Sequence, residues 1–140
     1  VWNDAAITTD VLVGFPGETD EQFNTTLGFV REMGFSRLHV FPYSPRPDPP
    51  AADRDDQVSP KVKRARTDAM LALGDQLAIA AAEQWIGRTV SVLIEEREKD
   101  DLLAGHTPHY TKAHTPGPDD SIGRIIDLIP TRQDHGELYT

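Results

Sequence analysis

Two short runs of this chain carry residues that can do chemistry at spacings that could bring them together. In TDVLVGFPGETDEQF, residues 9 to 23, an apolar strand opens onto a Gly14-Phe15-Pro16-Gly17 turn and then an acidic helix start. Glycines there let bare backbone approach a planar ligand, at the C-terminal end of a parallel strand, where α/β sheets and barrels place their sites. The same glycines would serve equally well in a plain βα connection that needs unusual dihedrals. Physics alone leaves those two readings level. Glu18 and Thr19 read as helix-start residues rather than catalysts. In LHVFPYSPRPDPPAA, residues 38 to 52, Tyr43, Ser44 and Arg46 stand just past a second strand end. The planar fork of Arg46 suits a carboxylate or a phosphate. Taken alone, it is more simply a surface arginine in a proline-rich loop, with Tyr43 packing on the rim.

A third group lies towards the C-terminus. Tyr110 and Lys112 are two residues apart in a β-rich stretch, so on a strand they would share a face. With Arg88, Arg124 and Arg132 they could form an aromatic platform surrounded by cations, the combination that suits RNA. Ordinary solvated charge is the competing reading, and Glu95, Glu96, Glu98, Asp100 and Asp101 support it. From Trp85 onward six Lys/Arg face ten Asp/Glu, a net charge of −4. His106, His109 and His114 match no structural zinc spacing and read as surface histidines. Asp134-His135 has no visible nucleophile partner, so a hydrolytic triad is not expected.

The elements that must hold these groups follow from periodicity. Residues 6 to 15 are almost continuously apolar after Asp10, as in a strand buried on both faces. Thr19 and Gln22 fit a capping box, with Asp20 and Glu21 in the first turn. Phe23, Leu27, Val30 and Met33 follow at helical spacing, and Gly34 is a candidate C-cap. Residues 37 to 43 read as a second strand, and strand–helix–strand over some forty residues predicts a parallel α/β sheet. Prolines 45, 47, 49 and 50 make residues 44 to 58 a loop. Ser59 caps a long helix with Pro60 at its first position, running to about Glu83 with Met70, Leu73, Leu77 and Ala81 inward. At Trp85 the character changes. Residues 88 to 96 alternate, with Val90, Val92 and Ile94 on one face, and β-rich stretches follow around 109 to 114 and 122 to 129, predicting a small all-β barrel. The triplet Ile-Gly-Arg occurs at 86–88 and again at 122–124; two related strand entries would account for it, and so would chance.

Composition narrows the classes. The chain has 140 residues, 38% of them hydrophobic, with a net charge of −9. That balance argues against a binder that depends on phosphate contacts alone. It has no cysteine, which excludes disulfides, thiolate metal sites and iron–sulfur ligation by these residues. No apolar run approaches a membrane span and no signal-peptide pattern opens the chain, so the expected compartment is the cytoplasm. Val1 reads as the lead-in to a strand, as if the chain were the C-terminal piece of a longer protein.

GFPGET followed by FPYSPRPDPPAA, a basic-residue-bearing helix and a terminal β domain resembles the radical S-adenosylmethionine methylthiotransferases, over almost the whole chain. The resemblance implies an α/β plus all-β fold. Residues 1 to 84 would be the C-terminal portion of a parallel (β/α) barrel, and residues 85 to 140 a small antiparallel β-barrel of the TRAM type, which binds RNA. GHTPHYTKAH, residues 105 to 114, resembles the subfamily that modifies threonylcarbamoyladenosine at tRNA position 37. The complete enzyme would insert sulfur at C2 of the modified adenosine and methylate it. It would use S-adenosylmethionine and two 4Fe–4S clusters whose ligands lie upstream of Val1, leaving this chain inactive alone. Val13, Gly14, Phe15, Pro16, Tyr43, Ser44 and Arg46 would line the S-adenosylmethionine pocket. Arg88, Tyr110, Lys112, Arg124 and Arg132 would contact the tRNA anticodon loop. One departure is visible: the family commonly has Gly-Thr or Asp-Thr after the arginine, where this chain has Asp48-Pro49-Pro50. The alternatives are a methylthiotransferase acting on isopentenyladenosine or on a ribosomal protein, and a non-catalytic RNA-binding module.

Overall fold

The computed structural model describes residues 4–45 and 50–140. Arg46, Pro47, Asp48 and Pro49 lie outside the described residues, so Arg46 and most of the Asp48-Pro49-Pro50 departure have no structural account. The chain forms two compact units, one of Ile7–Leu77 and one of Ala78–Thr140 with the described residues before Ile7.

The first unit is built from β1 (Thr8–Val13), α1 (Asp20–Met33), β2 (Arg37–Pro42) and most of α2 (Pro60–Glu83). β1 and β2 pair in parallel, with Thr9 opposite Leu38 and Val11 opposite Val40. α1 starts where the capping box places it. The Gln22 N–H donates to the Thr19 hydroxyl, and the Thr19 N–H donates to the Gln22 side chain. It ends at Gly34, whose φ of 63° is the left-handed cap that glycine adopts without a Cβ penalty. Phe23 and Val30 of α1 and Met70 and Leu73 of α2 close over Val11 and Val13, with Leu38 and Val40 at the edge of the same cluster. Apolar spacing of 3.6 on the helices and 2 on the strands therefore meets on one side of the sheet.

The second unit holds six strands: β3 (Val90–Arg97), β4 (Leu103–His106), β5 (Lys112–Thr115), β6 (Ile125–Leu128), β7 (Arg132–Asp134) and β8 (Glu137–Tyr139). Their order is β6-β3-β4-β5-β8-β7. Val90, Val92 and Ile94 point inward as the alternation requires and pack with Leu103, Ala113 and Leu138. Ala82, rather than the expected Ala81, is the residue of late α2 in this core.

The sheet differs from the wholly antiparallel barrel expected. β5 and β8 are parallel, which makes it a mixed sheet, and the recorded pairings leave β6 and β7 as its two edges. The cause is a β7–β8 hairpin that the sequence does not announce. Asp134 faces Glu137 across a two-residue turn in which His135 and Gly136 both have positive φ, 48° and 81°. That is the type I′ geometry whose twist suits a hairpin, but Asn-Gly, its usual signature, is absent. β8 therefore returns alongside β5 in the same direction.

Both Ile-Gly-Arg triplets prove to be strand entries. Gly87 and Gly123 have φ of 75° and 82°, and their N–H groups donate to the Pro130 and Ile94 carbonyls, both at 2.8 Å. The following arginine N–H closes a turn to Trp85 in one case and Ser121 in the other. The strands they open, β3 and β6, are antiparallel neighbours.

Two glycines make opposite demands. Gly105 faces the irregularity in β3 between Ile94 and Glu96, and a Cβ there would lie 1.9 Å from the Leu93 carbonyl oxygen. Gly74 sits mid-helix, where a Cβ would make ordinary contact with Leu38 at 3.5 Å. Gly105→Ala is expected to cost about 3 kcal/mol or more by overpacking. Gly74→Ala is expected to stabilise by up to about 1 kcal/mol through helix propensity. Urea unfolding of the two variants checks both, and opposite shifts in midpoint are the expected result.

Candidate cofactor pocket and nucleic-acid interface

The GFPGET turn is held by one buried cation. Arg66 of α2 is 6% exposed and donates to the Glu18 carboxylate at 2.7 Å, the Glu18 carbonyl at 3.0 Å and Asp20 at 2.6 Å. The same Glu18 oxygen, Oε2, also accepts the Gly14 N–H at 2.7 Å. Burial works to lower the Arg66 pKa, but the hydrogen bonds and charges of Asp20 and Glu18 outweigh it and hold it above its ordinary value. The turn thus arrives with its first amide already engaged by its own chain. Gly14 is also covered, since a Cβ on it would fall 2.3 Å from Lys63 Cγ.

The two sequence segments do converge. The Tyr43 N–H donates to the Val13 carbonyl at 2.8 Å, and the Phe15 and Tyr43 rings meet edge to face with centroids 5.3 Å apart. Lys63 lies over the Tyr43 ring at 5.4 Å and donates to its carbonyl at 3.2 Å. Phe15 is 41% exposed, Ser44 is exposed and Pro16 is buried. Val13 packs in the core between sheet and helices. The Tyr43 hydroxyl is buried without a hydrogen-bond partner among the described residues. A buried orphan hydroxyl is costly, so this atom fits a site where a polar ligand group arrives. Iron–sulfur ligation has no such fit. The chain contains no cysteine, and no group of three His, Cys, Asp or Glu among the described residues could hold a metal.

Sequence reasoning missed the bare face of this sheet. Parallel sheets are normally covered on both sides, yet here the side opposite the helices is open. Register stacks three rows on it: Thr8 with Arg37, Asp10 with His39, and Leu12 with Phe41. Leu12 and Phe41 are each 51% exposed. The alternation of Arg37-Leu38-His39-Val40 was the available signal, hidden because Phe41 breaks it and β1 reads as continuously apolar.

The five residues expected to touch RNA are scattered in role. Arg88 lies over the Trp85 ring at 4.4 Å and pairs with Asp4 at 3.2 Å, while His109 also stacks on Trp85 at 4.3 Å. Arg132 lies over the Tyr139 ring at 4.0 Å. Lys112 is bonded to Glu98. That bond, against the opposing effect of burial and with the charges of Glu98, Glu137 and Glu96, raises the lysine pKa. Tyr110 does not share a strand with Lys112. It sits before β5 in a turn, at φ 60° and 71% exposed. Arg124 is exposed, and no carboxylate among the described residues pairs with it. His114 is not a surface histidine either. It is 3% exposed, stacked on Tyr139 at 4.4 Å, with Nε2 2.6 Å from Glu137. The strand that carries it lies mid-sheet, which periodicity alone could not reveal.

A parallel βαβα unit with a candidate pocket at its strand ends, followed by a mixed β domain, is the arrangement against which known proteins can be compared. No protein-family model matches the chain. It is 44% identical over 127 residues to the threonylcarbamoyladenosine tRNA methylthiotransferase MtaB of Bacillus subtilis, covering 88% of this chain and 28% of that protein. It is 42% identical over 131 residues to the tRNA-2-methylthio-N(6)-dimethylallyladenosine synthase of Geobacillus thermodenitrificans, covering 92% of this chain and 25% of that one. The synthase of the same name from Bacillus subtilis is 40% identical over 124 residues, 87% of this chain and 24% of its own length. The chain belongs to the radical S-adenosylmethionine methylthiotransferase family. It spans about a quarter of the length of the curated relatives it matches.

Glu18→Ala would leave Arg66 buried with only the residue-18 carbonyl and the exposed Asp20 carboxylate, and the Gly14 N–H with no partner among the described residues. It is expected to destabilise the chain by about 3 kcal/mol, against about 1 kcal/mol or less for Asp20→Ala, whose carboxylate is largely in water. Denaturant melts of both variants measure the difference. In the β domain, burial first, with the charges of Glu137 and Asp134 and against that of Arg132, raises the Tyr139 pKa above its ordinary value of 10.0. The neutral phenol is then favoured by folding, so its contribution is whole below pH 10 and is lost as pH rises from there. Stability should fall on this alkaline limb, and Tyr139→Phe should flatten it in melts taken across that range.

Proposed function

We propose that this chain is part of a tRNA methylthiotransferase that acts on N6-threonylcarbamoyladenosine at position 37, in the cytoplasm. The observation that carries this reading is the 44% identity to a threonylcarbamoyladenosine tRNA methylthiotransferase over 88% of the chain. The geometry supports it at the GFPGET turn. Residues 7 to 77 act as part of the wall of a parallel barrel, with helices outside and the Asp10–His39 and Leu12–Phe41 rows turned to the interior. S-adenosylmethionine bound there supplies the methyl group and the radical source. This chain's own task is to bind and orient it, through the Phe15–Tyr43 corner, the Tyr43 hydroxyl and the backbone that follows Gly14 through Pro16, with Ser44 at its side; Arg46, outside the described residues, is a further proposed contact. Any clusters take their ligands from residues other than these 140, so the segment holds cofactor and substrate and does not itself start the radical.

A second substrate reading has its own support. The synthases named for dimethylallyladenosine are 42% and 40% identical to the chain, close to the first value. The test is to express the complete reading frame that encodes the chain in a bacterium lacking both 2-methylthio modifications and to analyse its tRNA nucleosides by mass spectrometry. The expected result is a methylthio group on threonylcarbamoyladenosine. A methylthio group on isopentenyladenosine instead would replace the substrate assignment, and neither product would overturn the function.

A further inference from the structure

The outer face of the β domain carries a groove that the sequence did not suggest. Ile125 of β6 pairs with Leu93 of β3, and Leu93 pairs with His106 of β4. These three side chains form one row on the face opposite the Val90–Val92–Ile94 core. Two of the three are apolar and uncovered, Ile125 at 70% and Leu93 at 42% exposed. Pro108 and Tyr110 stand at its side, and the open groove they line measures about 540 Å³, within the range of small-ligand sites.

Tyr110 is held there at a cost. Its φ of 60° is strained for a bulky aromatic residue. The turn enforces it through the Tyr110 N–H to the Thr107 carbonyl, the Thr107 N–H to the Thr111 carbonyl, and the Thr111 N–H to the Thr107 hydroxyl. A buried anchor would explain such strain, but this ring is 71% exposed.

Charge decides what could enter. Glu95 lines the groove and pairs with His106 at 2.5 Å, while Asp127 pairs with Ser91, another lining residue, at 2.7 Å. Carboxylates there repel a phosphate and accept hydrogen bonds from amino groups. Arg88, Lys112 and Arg132 are engaged elsewhere, and Arg124, which precedes Ile125 in the chain, is exposed with no carboxylate partner among the described residues. We infer that the groove takes one unpaired nucleobase bearing an exocyclic amine. The base stacks on Tyr110 over Leu93 and Ile125, its amino edge faces Glu95, and its phosphate stays outside near Arg124. This deepens the tRNA reading and rests on it.

The test titrates the chain with a fluorescent single-stranded oligoadenylate and with unmodified tRNA, at two salt concentrations. Tyr110→Ala is expected to weaken oligoadenylate binding roughly 5- to 150-fold, with Tyr110→Phe within twofold of the parent. Replacing adenine by purine, which lacks the amine, should weaken it too. The salt dependence should be shallow, matching one or two phosphates. Tyr110→Gly, which relieves the backbone, should lose binding without lowering the melting temperature. If the parent binds and Tyr110→Ala and Ile125→Ser bind equally well, the groove assignment is wrong while the tRNA reading stands. If the parent binds neither RNA, RNA recognition by this chain fails and takes the groove with it. Self-association abolished by Ile125→Ser would assign the face to a second copy and overturn the inference.

Discussion

A guanidinium removed from water needs partners, and Arg66 is the polar tie of the Ile7–Leu77 unit: both terminal nitrogens are paired, while Nε is buried with no partner among the described residues. Arg66 reaches from α2 to the turn between β1 and α1, where Glu18 and Asp20 take its charge and Phe23 lies under it at 5.5 Å. Because the Glu18 carboxylate also accepts the Gly14 amide, the same ion pair fixes the path of the chain out of β1. The Phe15–Tyr43 corner inherits its position from that path, since Phe15 follows Gly14 and the Tyr43 amide is tied to Val13. Without this pair, strand, helix start and second helix would share only apolar contacts, which are tolerant of small slides.

The β domain spends its cations differently. Two guanidinium groups lie on aromatic rings that also stack a histidine: Arg88 and His109 with Trp85, and Arg132 and His114 with Tyr139. Such contacts rigidify a small domain in which few side chains are fully buried. Both arginines stay exposed, so these contacts fix the direction of their charge without burying it.

Much of the α/β unit was legible because its signals are local. Thr19, Gln22, Gly34, Ser59 and Pro60 each act within a few residues, and the helices run where those residues put them. The inward face of β3 was legible for the same reason. What was not legible depended on partners far along the chain. The role of Glu18 is set by Arg66, 48 residues later. The bare side of β1 is defined only by register with β2. β4, β7 and β8 are too short to show a period, and a His-Gly turn gives no standard hairpin cue. For the site, segment convergence was visible in the order of motifs, whereas the engagement of Arg88, Lys112 and Arg132 follows from contacts that sequence spacing does not encode.

The place of β8 has a consequence for any chain that lacks it. Leu138 is completely buried among strands synthesised long before it, and β8 lies between β5 and β7. Without β8 the strands β3 to β6 can still pair, but the flank of β5 stays open, with its amides and carbonyls unanswered. A chain ending before Leu138 would therefore present an open edge beside an unfilled core, a surface prone to aggregate.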